Sequence, residues 1–245
     1  MKITFFGTSH GRMQKDRHCS CTLIESGCKK YIIDAGAPVA DLLTFYGIPF
    51  DSIDSVFITH MHGDHVNGLI GYVDLLLWAY KDADPLLCFP ENGSYERMES
   101  WLSILHDGKM PKTIRHRIID KGEFFNDGTI TVKAIPNGHL EQAGRPSFSF
   151  LIREKNKNVL FTGDLKRDLS DIPKEAFDTE TDLILCEGAH NRIMQHIDVL
   201  KNANTKMFGF VHVNPAANSE EDINQFAEKV KFPVRHFSDG DVIEL

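Results

Sequence analysis

Short apolar runs alternate with turn residues through the first sixty positions. Residues 3–6, 22–25, 31–34 and 56–59 are each β-branched or aromatic and each closes on Gly, Asp or Ser, which predicts four strands. The period then changes. Leu42 and Leu43 share a face ahead of Gly47 and predict a helix over 39–46, while Leu69, Val73, Leu76 and Leu77 recur at helical spacing and predict another over 67–80. The second is apolar nearly all round, so it is expected to be well buried. Met98, Trp101, Leu102 and Leu105 fall at i, i+3, i+4 and i+7 and predict a third helix over 95–106. Strand patterns return at 129–135, 147–152, 159–162, 183–186 and 208–212. A last helix over 220–230 begins at Ser219, three residues before Asp222 in capping-box spacing, and Val242-Ile243 is read as a closing strand. No period repeats and no Pro/Gly/Ser-rich linker interrupts this series. The expectation is one α/β domain over residues 1–245, with two sheets sandwiched between helices.

Composition agrees with a folded enzyme and narrows its partners. A chain of 245 residues with 42% hydrophobic and 25% charged positions can bury a sizeable core, which sets aside disorder, fibrous repeats and disulfide mini-scaffolds. The net charge of −8 argues against a broad basic surface for long nucleic acid, although a small phosphate ester held by metal ions stays open. Five cysteines, an odd and sparse set, and an opening apolar run too short for a signal peptide point to a reduced, cytoplasmic protein. The longest apolar stretch, residues 69–80, is broken by Gly71 and Asp74 and falls short of the ~20 residues that span a bilayer, so no membrane partner is expected. Phe45, Tyr46 and Trp78 are candidates for a homodimer contact, though core packing accounts for them more simply.

Histidine stands out. There are twelve, and this side chain is both the commonest metal ligand and the commonest acid–base group. Four candidates cluster in Thr59-His60-Met61-His62-Gly63-Asp64-His65, an H-x-H-x-D-H pattern where a strand ends and a helix is about to begin. Residues i and i+2 of an extended turn point the same way, while Asp64 and His65 at the helix start can be aimed a few ångströms aside. Two adjacent divalent ions are therefore implied.

With that motif the chain resembles the metallo-β-lactamase-fold hydrolases. The resemblance implies a four-layer αββα sandwich and a two-metal site at the edge of its sheets. Asp34 in Ile32-Ile33-Asp34-Ala35-Gly36, His139 in Pro136-Asn137-Gly138-His139, Asp164 in Phe161-Thr162-Gly163-Asp164 and His212 in Phe210-Val211-His212 match the family's remaining motifs in order. By the resemblance, one metal would be held by His60, His62 and His139 and the other by Asp64, His65 and His212. Asp164 would bridge both, and Asp34 would steady the histidine loop by hydrogen bonds. Zinc is the expected ion, with manganese and iron also accepted by imidazole–carboxylate sites.

A carboxylate at Asp164, where β-lactamases of this fold place Cys, speaks against antibiotic hydrolysis, and His62 favours hydrolysis over di-iron redox chemistry. Gly7-Thr8-Ser9, Cys19-Ser20-Cys21-Thr22 and Asp34-Ala35-Gly36 are similar to the ribonuclease Z and cyclic phosphodiesterase branch. That branch also implies a Glu after the strand following the bridging Asp, matched by Glu187, and a proton-donating His ahead of the last ligand, matched by His190, with His196 the weaker candidate. Only 25 residues separate His139 from Asp164, too few for the long arm with which ribonuclease Z grips tRNA, so a small phosphodiester substrate is preferred. A hydroxide bridging the ions would be the nucleophile, with Asp64 orienting it. A thioesterase or lactonase using the same site, and a metal-binding regulatory protein without turnover, remain open. Cys19, Cys21 and Cys28 with His18 are candidates for a further structural zinc; His10, His106, His116 and His236 are expected to be surface or satisfied core residues.

Overall fold

The computed structural model describes residues 1–245. Its first half runs β1 (Lys2–Gly7), β2 (Cys21–Ser26), β3 (Lys29–Ile33), α1 (Val39–Phe45), β4 (Ser55–Phe57), α2 (Gly63–Val66), α3 (Leu69–Trp78), β5 (Leu86–Phe89), α4 (Ser94–Leu105) and β6 (His116–Ile118). The second runs β7 (Gly122–Asn126), β8 (Thr131–Pro136), β9 (Phe148–Glu154), β10 (Lys157–Phe161), α5 (Glu175–Asp178), β11 (Leu183–Gly188), α6 (Ile197–Leu200), β12 (Phe208–Val213), α7 (Glu220–Ala227) and β13 (Val234–His236). A last strand, β14 (Val242–Glu244), returns to pair with β1.

Each half makes a seven-stranded sheet, in the orders β14-β1-β2-β3-β4-β5-β6 and β13-β12-β11-β10-β9-β8-β7. Each sheet begins as an antiparallel meander and turns parallel, from β3 onward in one and from β10 onward in the other. Parallel pairing needs crossovers, and these place helices on the outer faces. Three apolar clusters fill the layers. Ile3, Phe5, Tyr31, Phe57, Phe150 and Phe237 pack between the sheets. Leu43, Leu69, Tyr72, Leu76 and Leu102 seat α1, α3 and α4 on the first sheet, and Phe208, Phe210, Ile223 and Phe226 seat α7 on the second. This is the four-layer αββα sandwich expected from the sequence, and no helix is long and apolar enough to cross a membrane.

Most predicted elements are present to within a few residues, including the capping box of Ser219 and Asp222 at the start of α7. The strands not anticipated, β5, β6, β7 and β13, are short, and all four lie at or next to a sheet edge, where alternation is weak. Along α4 only Tyr95, Met98 and Leu102 among the large apolar residues are buried, and Trp101 and Leu105 are more than half exposed. One reading needs correction. Phe45 (79% exposed) and Trp78 (56% exposed) lie at helix ends beyond the reach of the sheet and are not core residues.

Candidate metal centre and active site

The candidate residues leave the C-terminal ends of strands in both sheets. Asp34 follows β3 and adopts a left-handed backbone (φ 57°), a conformation uncommon for a residue with a side chain. There its carboxylate accepts hydrogen bonds from Thr59 N (2.8 Å), from the Thr59 hydroxyl and from His65 Nδ1 (2.7 Å). It therefore ties the loop after β4 to the start of α2, the supporting role expected of it. Two glycines permit the approach: a Cβ on Gly36 would lie 1.7 Å from the Asp64 carbonyl oxygen, and one on Gly68 1.6 Å from that of Ala37. Both obstacles are backbone, which side-chain motion cannot relieve.

The loop and the ends of β8, β10 and β12 bring seven side chains together. Asp164 Oδ2 lies 3.6 Å from His60 Nε2 and 3.7 Å from His139 Nε2, and His62 Nδ1 lies 3.1 and 3.2 Å from the same two nitrogens. The other oxygen, Asp164 Oδ1, stands 3.4 Å from His65 Nε2 and 3.5 Å from His212 Nε2, and Asp64 Oδ2 stands 3.5 and 3.6 Å from those. Four donors at ~2.0–2.1 Å from a zinc-sized ion in a tetrahedron are separated by about 3.4 Å; His60, His62, His139 and Asp164 form such a group of four, and Asp64, His65 and His212 a group of three against the other Asp164 oxygen. His65 Nε2 and His212 Nε2 are buried and have no hydrogen-bond partner, as ring nitrogens reserved for a cation would be. The donor set, imidazole and carboxylate, suits a borderline-soft divalent cation. The residues thus fit a dinuclear site with Asp164 shared.

Charge organises the cluster. Burial pulls His60 well below the usual histidine range, and the neighbouring His65 adds to the effect, so His60 is a neutral donor. Burial opposes ionisation of Asp164, but His212 and His65 outweigh it and hold the carboxyl well below its ordinary value. His212 itself has a left-handed backbone (φ 53°), its N–H donates to Thr8 O, and its Nδ1 lies 2.9 Å from the Ser20 hydroxyl. The Ser20 contact fixes the ring so that Nε2 faces Asp64 and Asp164.

Glu187 and His190 stand beside this cluster. Glu187, buried at the end of β11, accepts the backbone N–H groups of Ala189, His190 and Leu165, which shapes the turn that carries His190. His190 Nδ1 lies 3.5 Å from Glu187 Oε1 and 3.7 Å from Asp164 Oδ2. Burial lowers the His190 imidazole, but Glu187 and Asp164 outweigh it and carry the group to about 9. His196 turns away, bonded to the Arg167 carbonyl. The cysteine site is not assembled: Cys19 and Cys21 are buried, Cys28 is exposed at the β2–β3 turn, and none joins a group of ligand atoms. Cys21 opens β2 and Cys28 sits in the turn beyond its other end, which sets the two apart, and His18 instead pairs with Asp239. His106 pairs with Asp74, His236 with Glu220, and His116 stacks on Tyr95. Sequence reasoning missed Ser20 and Thr59 as supports, since a lone hydroxyl beside a motif carries no distinguishing signal.

The family model described as "Anti-Pycsar protein Apyc1" matches residues 1–231. Ribonuclease Z of Staphylococcus saprophyticus is 28% identical over 155 residues, 62% of this chain and 49% of that protein. The chain spans about half the length of the curated relatives it matches. Among solved structures, human tRNase Z short form superposes with a TM-score of 0.74 at 20% identity, over 100% of this chain and 99% of that one. The metallo-β-lactamase-fold protein YhfI of Bacillus subtilis gives 0.78 at 17% identity, with 99% of each chain covered. The fold is that of the metallo-β-lactamase group, as the H-x-H-x-D-H motif led one to expect.

Proposed function

The chain belongs to the anti-Pycsar protein Apyc1 family, and from that premise and the geometry of its clustered side chains we propose that it is a two-metal hydrolase of small or cyclic phosphodiesters. The observation that carries the reading is the sharing of Asp164 between two groups of ligand atoms, His60, His62 and His139 on one oxygen and Asp64, His65 and His212 on the other. Two such ions, zinc in the first instance, would supply an activated water and a polarised phosphoryl oxygen there. The remaining steps belong to side chains of the protein. Asp64, whose Oδ2 lies 3.5 Å from His65 Nε2 and 3.6 Å from His212 Nε2, would orient the attacking oxygen. His190 lines the adjoining groove of about 530 Å³ with Lys166 and Arg167, where it can pass a proton to the departing oxygen. Glu187 holds His190 in that position through the turn.

Several features support a phosphodiester and a small one. The curated relatives are named ribonuclease Z. The interval from His139 to Asp164 is taken up by one 3₁₀ turn and the β9–β10 hairpin, which leaves no projecting arm, and the net charge is −8. Cytoplasmic placement rests on five free cysteines, and a homodimer on the exposed Phe45 and Trp78. The test pairs elemental analysis of the purified protein with hydrolysis of bis(p-nitrophenyl) phosphate, a cyclic nucleotide, a glutathione thioester and an acyl lactone. Two metals per chain and turnover of the phosphodiesters are expected. Turnover of the thioester or lactone alone would replace the reading with that activity, and two metals without turnover would favour a binding protein.

A further inference from the structure

Two grooves lie along segments that carry the ligand cluster, and they share no lining residue. The polar one contains His139, Lys166, Arg167 and His190. The other, of about 360 Å³, is mostly apolar: Met61, Ile70, Met98 and Trp101 line it, and Arg145 and Glu91, paired at 2.8 Å, add a charged rim. Residues 138–145, which carry His139, contribute to both grooves and so stand between them. The apolar groove is tied to the cluster by chain connectivity: Met61 lies between His60 and His62, Val66 and Asn67 follow His65, and Arg145 comes six residues after His139.

The lining is chemically selective. Trp101 keeps its ring 56% exposed at the groove instead of packing it in the core. Two thioethers, Met61 and Met98, offer polarisable contacts that favour aromatic rings, and a guanidinium at the rim suits a ring edge rich in acceptors. An aliphatic chain would fill the same volume without using the indole face or the guanidinium. The volume fits one or two fused rings and not a folded polymer. We propose that this groove is a subsite for an aromatic ring, carbocyclic or heterocyclic, carried on one ester arm of the substrate, with Trp101 stacked on the ring and Arg145 at its edge. As a statement about substrate it rests on the phosphodiesterase reading above; as a statement about binding it can be measured without turnover.

Trp78 and Trp101 are the two tryptophans, so Trp78→Phe leaves Trp101 as the reporter. Zinc-loaded Trp78→Phe protein is titrated with phenylphosphonate and with propylphosphonate, which carry the same charged head. Phenylphosphonate is expected to change Trp101 emission and to bind at least about tenfold more tightly, in line with what one well-filled apolar pocket discriminates. Calorimetry should show that preference lost in Trp101→Ala and largely kept in Trp101→Phe, with circular dichroism confirming that both fold. Equal affinities for the two phosphonates, or a preference unaltered in Trp101→Ala, would overturn the subsite even if bis(p-nitrophenyl) phosphate is hydrolysed. A ring preference in a protein that hydrolyses no phosphodiester would uphold the subsite and overturn the phosphodiesterase reading.

Discussion

In the half built on β1–β6, four candidate ligands, His60, His62, Asp64 and His65, leave one strand end within six residues. In the half built on β7–β13, His139, Asp164 and His212 leave three different strands and converge only in space. The sheets have the same order and the same antiparallel-to-parallel change, so the contrast lies in how each half supplies and braces its side chains. The loop of the first half is braced from within, by Asp34 and by the close approach of Gly36 and Gly68. His212 in the second half is braced from across the molecule, by Thr8 O and Ser20. Convergence of the two halves is thus a property of the assembled sandwich, and removing one tie should reveal which half depends on it.

Asp164→Ala gives the largest effect, because its two oxygens belong to both groups. Metal content measured by elemental analysis should fall from two per chain to below one, and hydrolysis should drop by about 10³-fold or more, the scale on which charge stabilisation in a closed site is lost. Retention of two tightly held metals would show that the halves hold their ions separately. Next comes Asp34→Ala. It removes the acceptor of three hydrogen bonds and leaves the buried His65 Nδ1 unpaired, so stability should fall by about 1–3 kcal/mol. Metal affinity, read by competition with a chromophoric chelator, should weaken by about 10–100-fold. Gly36→Ala should lower the melting temperature through a clash worth about 1–3 kcal/mol, since the Asp64 carbonyl must shift to admit the methyl group.

The same contrast explains what could be read from the chain. The H-x-H-x-D-H loop is legible because its chemistry is local: a six-residue segment carries its own spacing. His139, Asp164 and His212 each look like an ordinary strand-end residue until a family pattern orders them, and the structure does bring all three together with the loop. Long buried strands such as β9 and β11 announce themselves by composition, whereas β6 and β13, three residues each at sheet edges, are held by a single neighbour and carry almost no pattern. The Trp101 side chain shows how far spacing reaches: it predicted the helix correctly but does not say which of its patterned residues are buried, and Trp101 opens onto a groove. Ser20 was invisible for a further reason. Its partner, His212, is 192 residues away, and no local rule links them.

Ser20→Ala should give the smallest effect of the series and the most discriminating one. The hydroxyl contributes a single hydrogen bond to His212 Nδ1 at 2.9 Å, so overall stability should change by only about 1 kcal/mol. A metal at the proposed site of Asp64, His65 and His212 should nonetheless bind about tenfold more weakly, while one at the group of His60, His62 and His139, which Ser20 does not touch, should be kept. Stepwise chelation followed by elemental analysis reads the two occupancies in turn: the first ion should leave at a lower chelator concentration than in the unaltered protein, and the second at the same one. If both steps shift together, His212 is not braced independently and the second half relies on the loop of the first for its geometry. If neither shifts, the ties made by Thr8 and by the left-handed backbone at His212 are sufficient to aim its ring, and the support from across the molecule resides in the main chain alone.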